Sequence, residues 1–213
     1  MNQILFNKEN NKINISVTST NNNLYKSMFI FSIFLLFISI IFLFVKLYKN
    51  SINEQISKKL NTSYSVSTLY SENTNLENIS NKSTPFVIGI IKIDKINVNY
   101  SILSISNNEL LDISVCRFAG PMPNEIGNLC IAGHNYVDYK FFSRLNELNI
   151  NDEITIFDLN GNFKNYSVYK KYEILPNDIS CTSQETNNLR IVTLITCNNV
   201  NGKRLVLQAK EIP

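Results

Sequence analysis

Tryptophan is absent from this 213-residue chain, histidine occurs once, and glycine and proline number only six and five. One histidine and no CxxC pair leave too few ligands for a zinc site. The formal net charge is only +3, with no basic stripe interleaved with aromatics, which removes nucleic acid as a partner. Four cysteines, Cys116, Cys130, Cys181 and Cys197, are too few and too scattered for a disulfide framework. If Cys197 must stay free, one of the other three is unpaired as well. Alanine is scarce while Asn, Ile, Lys and Ser abound, which reads as nucleotide bias and not as physics.

What the chain does have is apolar content, 44% hydrophobic, enough for one medium domain plus appendages. Residues 1–26 are polar and Asn-rich and read as a short tail. From Ser27 to Val45 nineteen residues carry no charge and are bracketed by Lys26 and Lys46, which matches a bilayer core. The run is too long for a signal peptide and no small-x-small cleavage site follows it, so 27–48 is expected to be an uncleaved transmembrane anchor. Lys46, Lys49, Lys58 and Lys59 follow the span, so lysine count alone does not favour the N-inside orientation. Residues 49–84, rich in Asn, Ser and Thr, read as a spacer in which Ile52, Ile56 and Leu60 could continue the helix briefly.

A folded domain is expected over 85–213. Phe86–Ile93 and Ile96–Ile102 read as strands, Asn107–Leu111 as a capped helical turn, and Cys116 falls in an irregular run. After loop chemistry at Gly120–Glu125, a short apolar strand Asn128–Ala132 ends at Gly133-His134-Asn135. A helix is expected next, with Phe141, Phe142, Leu145 and Leu148 on one face. Glu153–Leu159 and Phe163–Tyr172 form a hairpin about Asn160-Gly161, and Pro176–Asn188 is a long polar loop containing Cys181. Seven or eight short strands with one or two helices make a mainly β fold, a barrel or sandwich.

The last hairpin carries the chemistry. Two β-branched runs flank Asn201-Gly202, and a two-residue turn there pairs Val200 with Lys203 and Cys197 with Val206. Arg204 then shares a face with Cys197 as a diagonal neighbour, about 7–8 Å away at the backbone. A thiol beside a permanent cation has its thiolate, the nucleophilic form, favoured. His134, the one histidine, also stands at a strand end and is the only candidate for a general acid or base. Cys130, between Leu129 and Ile131, reads as core. Cys197 could itself be buried and structural, and Arg204 an exposed edge charge.

Three separated motifs carry a resemblance. Thr193-Leu194-Ile195-Thr196-Cys197 followed by Arg204-Leu205-Val206-Leu207 resembles the TLxTC…R signature of sortases, the cysteine transpeptidases of Gram-positive surfaces. Gly127–His134, with Phe141-Phe142 and Leu145 after it, is similar to that family's histidine segment, and Gly89–Ile93 to its opening strand. The resemblance spans roughly residues 86–212 and adds meaning to the layout of anchor and spacer.

It implies an eight-stranded β-barrel with one or two short helices. It also implies Cys197 as nucleophile, His134 as acid/base, and Arg204 as the group that stabilises the oxyanion and orients substrate. The implied reaction cleaves an LPxTG-like C-terminal sorting signal after Thr, holds the protein as a thioester, and releases it to an amine of cell-wall precursor or of a pilin lysine. No cofactor or metal is implied. The implied topology is single-pass, with the catalytic domain outside. Asp94-Lys95-Ile96 stands where the family commonly has Pro-Lys-Ile, and only six residues join Cys197 to Arg204, which leaves the subclass open between class D-like and unclassified. No Asp-Pro-aromatic lid precedes Pro85, which argues against pilin polymerisation. Two other readings remain: a cysteine peptidase using the same Cys–His pair with water as acceptor, and a non-catalytic surface-binding β-barrel.

Overall fold

The structure, a computed structural model, describes residues 22–70 and 85–213; the tail up to residue 21 and the spacer residues 71–84 lie outside the described residues. Two units divide the chain, one ending at Tyr48 and the other running from Lys49 to Pro213.

Alternating apolar residues and Asn/Gly turns give eight strands: β1 (Val87–Ile93), β2 (Val98–Leu103), β3 (Val115–Ala119), β4 (Gly127–Ala132), β5 (Glu153–Phe157), β6 (Phe163–Ile174), β7 (Arg190–Cys197) and β8 (Arg204–Glu211). They close into a barrel in the order β1-β2-β3-β4-β7-β8-β6-β5, so no strand keeps a free edge. The expected eight-stranded barrel is therefore observed. Only β2/β3 and β4/β7 are parallel; the remaining pairs are antiparallel. Every strand contributes to one interior cluster, for example Ile91, Ile102, Val115, Ile131, Ile154, Val168, Leu194 and Leu207.

Three local expectations are corrected. Cys116 lies in β3 and not in an irregular run, because β2 and β4 pair with it on either side and Val115 and Cys116 are fully buried. The helix expected at Phe141–Leu148 reduces to a single 3₁₀ turn, Leu145–Glu147. Its four apolar side chains are all buried as their spacing suggested, but Tyr139 and Phe141 take left-handed backbone angles (φ 61° and 52°) that no α-helix tolerates. The helix that begins at Asn22 (α1) runs on to Tyr70, well into the stretch read as spacer, where neither glycine nor proline is present to stop it. Among the described residues one helix, Tyr25–Thr62, is long and apolar enough to cross a membrane. Within the second unit its residues from Lys49 onward meet the barrel: Asn61 donates to the Asn99 carbonyl at 2.8 Å and accepts from the Ser101 amide at 2.7 Å.

The outer face of β4, β7 and β8 is covered by the β6–β7 connection. Cys130, Ile195 and Val206 pack there against Cys181 and Ile174. Asn128, 2% exposed, fastens the cover, donating to the carbonyls of Cys181 (2.9 Å) and Ser183 (3.0 Å) and accepting from the Thr193 hydroxyl at 2.6 Å. Asn128→Ala removes all three bonds and leaves their partners buried. It is expected to cost about 2–4 kcal/mol and to lower the thermal unfolding midpoint by roughly 5–10 °C. An unchanged midpoint in calorimetry would show that the cover is held by apolar packing alone.

Candidate active site

The register of three adjacent strands lays side chains out in rows on this covered face. Cys130 pairs with Thr193 and Thr193 with Gln208; in the next row Ala132 pairs with Ile195 and Ile195 with Val206. Two residues further along, where the cover ends, stand Cys197 and Arg204, which pair, and His134, two residues past the last paired residue of β4. Adjacent strands are about 4.8 Å apart, and their pairing puts Cys197 and Arg204 side by side on one face at the barrel rim. All three line a single cleft of about 300 Å³.

The rim is fixed by local contacts. Gly133 precedes His134 because a Cβ there would lie 2.7 Å from the ring of Phe142, so only glycine lets that fully buried ring pack beneath the strand end. The Thr196 hydroxyl donates to the Gly133 carbonyl at 2.8 Å, and the Asn135 amide to the Cys197 carbonyl at 2.8 Å. These bonds tie the end of β4 to the end of β7.

The final hairpin differs from the expected two-residue turn. Cys197 pairs directly with Arg204, and Ile195 with Val206, because the turn spans all of Asn198–Lys203. The Asn198 amide donates to the Lys203 carbonyl (2.8 Å) and Gly202, with φ 70°, to the Asn198 carbonyl (3.0 Å). The displacement is two residues, so the face predicted for Arg204 survives while the diagonal becomes a direct pair. Since Asn198 and Lys203 exchange a backbone bond, Cys197 and Arg204 form the non-hydrogen-bonded pair, the kind with backbones closest, about 4.5 Å apart. Glu173 of β6 anchors the turn, accepting from Asn198 and Asn201 and facing Lys203 at 3.8 Å; the two amides hold its carboxyl below the usual range.

Four free thiols therefore have different surroundings. Burial pushes Cys116 and Cys130 up to about 12, the latter aided by neighbouring Cys181, and burial raises Cys181 too. Cys197 alone is exposed. The Arg204 guanidinium makes no hydrogen bond or ion pair among the described residues, leaving its donors open to the cleft. No three His, Cys, Asp or Glu side chains converge as a metal site among the described residues.

A second cleft, about 490 Å³, meets the first at Thr196 and Cys197 and is walled by Asn135, Tyr139, Lys171, Glu173 and Asn199. Two more residues, which the sequence reading did not single out, stand beside His134. The Tyr136 ring is 5.1 Å from the imidazole, and Asp112 lies 3.7 Å from its Nε2. Nothing in their local sequence marks them, since Asp112 follows an ordinary helical turn and Tyr136 sits in a polar loop.

Comparison with known proteins falls on this same region. A sortase domain family model matches residues 91–212. Among solved structures, a Clostridium perfringens sortase D5 transpeptidase is 29% identical, with 75% of this chain and 100% of that chain covered at a TM-score of 0.65. Sortase C from the same organism, solved with the C-terminal cell wall sorting motif, is 20% identical over 73% of this chain and 86% of its own (TM-score 0.56). Sortase A from Corynebacterium diphtheriae is 21% identical over 78% and 90% (TM-score 0.56), and these last two share the fold. No curated relative matches by sequence.

Proposed function

The chain belongs to the sortase family, and from that premise we propose that it is a membrane-anchored cysteine transpeptidase acting on LPxTG-like sorting signals. The observation that carries the reading is the meeting of His134, Cys197 and Arg204 in one cleft at the end of a covered sheet face. Each member has one task. The Cys197 thiolate attacks the carbonyl carbon of the Thr–Gly bond, and the Arg204 guanidinium donates to the oxygen that becomes negative. His134, protonated, gives its proton to the departing glycine amine, and the surface protein remains as a thioester on Cys197. An incoming amine then attacks the thioester. His134 takes up the proton that this amine loses, an amide forms, and the thiolate leaves.

Two clefts meeting at Cys197 support transfer over hydrolysis, since an acyl donor in one leaves the other for a second substrate. The apolar helix supports an anchor at 27–48, and membership of the family supports a catalytic domain outside the cell and a cell-wall precursor amine as acceptor. Similarity to a sortase D5 transpeptidase supports the class D subclass.

The full chain in detergent micelles, given an LPxTG-type peptide and hydroxylamine, is expected to yield the threonine hydroxamate. Hydrolysis that added amines do not divert would turn the reading into the peptidase. Intact peptide across a library of sorting sequences would overturn both.

A further inference from the structure

Resting on that reading, we propose that Asp112 is a positioning residue for His134, its carboxylate holding the imidazolium in place beside Cys197. Asp112 Oδ1 accepts the Tyr136 hydroxyl at 2.6 Å and lies 3.7 Å from His134 Nε2. The first contact is a short hydrogen bond; the second is beyond hydrogen-bond range. Its attraction is therefore between charges and exists only while the imidazole is protonated. The carboxylate thus draws the protonated ring to one side of the cleft.

The carboxylate is itself held. Asn107 caps the helical turn Asn108–Leu111 (α2), accepting from the Leu110 amide at 2.8 Å. The Asp112, Ile113 and Ser114 amides fold back onto that turn at 3.2, 3.0 and 2.9 Å. Tyr136 completes the hold, and its ring packs on His134 at 5.1 Å with a 55° tilt. Burial, and after it the bond to Asp112, raises the Tyr136 phenol above its ordinary value, so it remains a donor at neutral pH.

The groups facing the imidazole are Asp112 after α2, Tyr136 beyond β4, Cys197 on β7 and Arg204 on β8. Asp112 is the one carboxylate within ion-pair range among the described residues. Lys49 reaches the other Asp112 oxygen at 3.8 Å, but its side chain is 68% exposed and its effect is screened. Asp138, next along the loop, is engaged by Lys140 at 3.0 Å.

With a single histidine in the chain, selective isotope labelling gives one imidazole signal, readable in the full protein in micelles. Cys197→Ala serves as background, so that the thiol adds nothing to the signal. Asp112→Asn is expected to move the resonances of the protonated imidazole, which report how the ring is held, and Asp112→Glu to restore them. In the enzyme with Cys197 intact, Asp112→Asn is expected to reduce kcat/KM about tenfold, through kcat with KM nearly unchanged. Tyr136→Phe, which keeps the carboxylate but frees it, is expected to move the resonances less.

A folded Asp112→Asn protein with unmoved imidazole resonances would overturn the proposal. So would moved resonances with full kcat, or an equal change in Tyr136→Phe. Should no sorting peptide be turned over even by the unaltered enzyme, the functional reading falls, while the imidazole resonances still decide whether Asp112 acts on His134.

Discussion

Cys197→Ala is expected to abolish hydroxamate formation from a sorting peptide, a loss of at least about 10⁴-fold in kcat/KM. No other thiol can substitute. Cys116, Cys130 and Cys181 are buried, and the first two ionise only near 12, so none presents a thiolate at neutral pH. His134→Ala should be nearly as damaging, because the chain has no second histidine and no carboxylate or lysine among the described residues lines the cleft. The decisive measurement is the double variant. If thiol and imidazole act as one unit, removing both costs little more than removing Cys197 alone. Additive losses would mean that His134 acts somewhere other than on the Cys197 reaction. Near-normal turnover in His134→Ala would remove it from the mechanism altogether.

Much of this site was legible because its parts obey local rules. β-branched runs, Asn-Gly turns and period-two alternation gave the strands, and alternation put Arg204 on the face of Cys197 although the turn was misjudged by two residues. An even displacement conserves the face, which is why the error was harmless. His134 could be nominated by being the sole histidine and standing at a strand end, but its nearness to Cys197 could not. That nearness comes from the parallel pairing of β4 and β7, where Ala132 meets Ile195, sixty-three positions apart, with no turn between them to betray the register. Asp112 and Tyr136 escaped for the same reason: their partnership joins the end of α2 to the loop beyond β4 across twenty-four positions. The missing helix at Phe141–Leu148 failed differently. Its apolar spacing reported burial correctly, but the left-handed residues at Tyr139 and Phe141 serve a tight return in which Asn135 bridges to Phe141. Spacing records which side chains are inside and not how the backbone gets them there.

Arg204→Ala is expected to lower kcat/KM by about 10²–10³-fold, the usual cost of removing one donor to a developing oxyanion. Stability should hardly change, since the half-exposed guanidinium has no hydrogen-bond or ion-pair partner among the described residues to lose. That freedom is informative. Lys203 next to it faces Glu173, and Lys164 and Arg190 both engage Glu211, so neighbouring cations are committed while the one opposite Cys197 is open. Arg204→Lys separates charge from geometry. An ammonium keeps the positive charge but not the planar fork, and it should recover only part of the loss. The rate of Cys197 alkylation by iodoacetamide then locates the effect, because the three buried thiols stay silent. If the guanidinium serves the oxyanion, alkylation proceeds almost as in the unaltered protein while peptide turnover collapses. Alkylation falling in step with turnover would instead make Arg204 a stabiliser of the thiolate, and full activity in Arg204→Ala would leave it only a charge on a strand end.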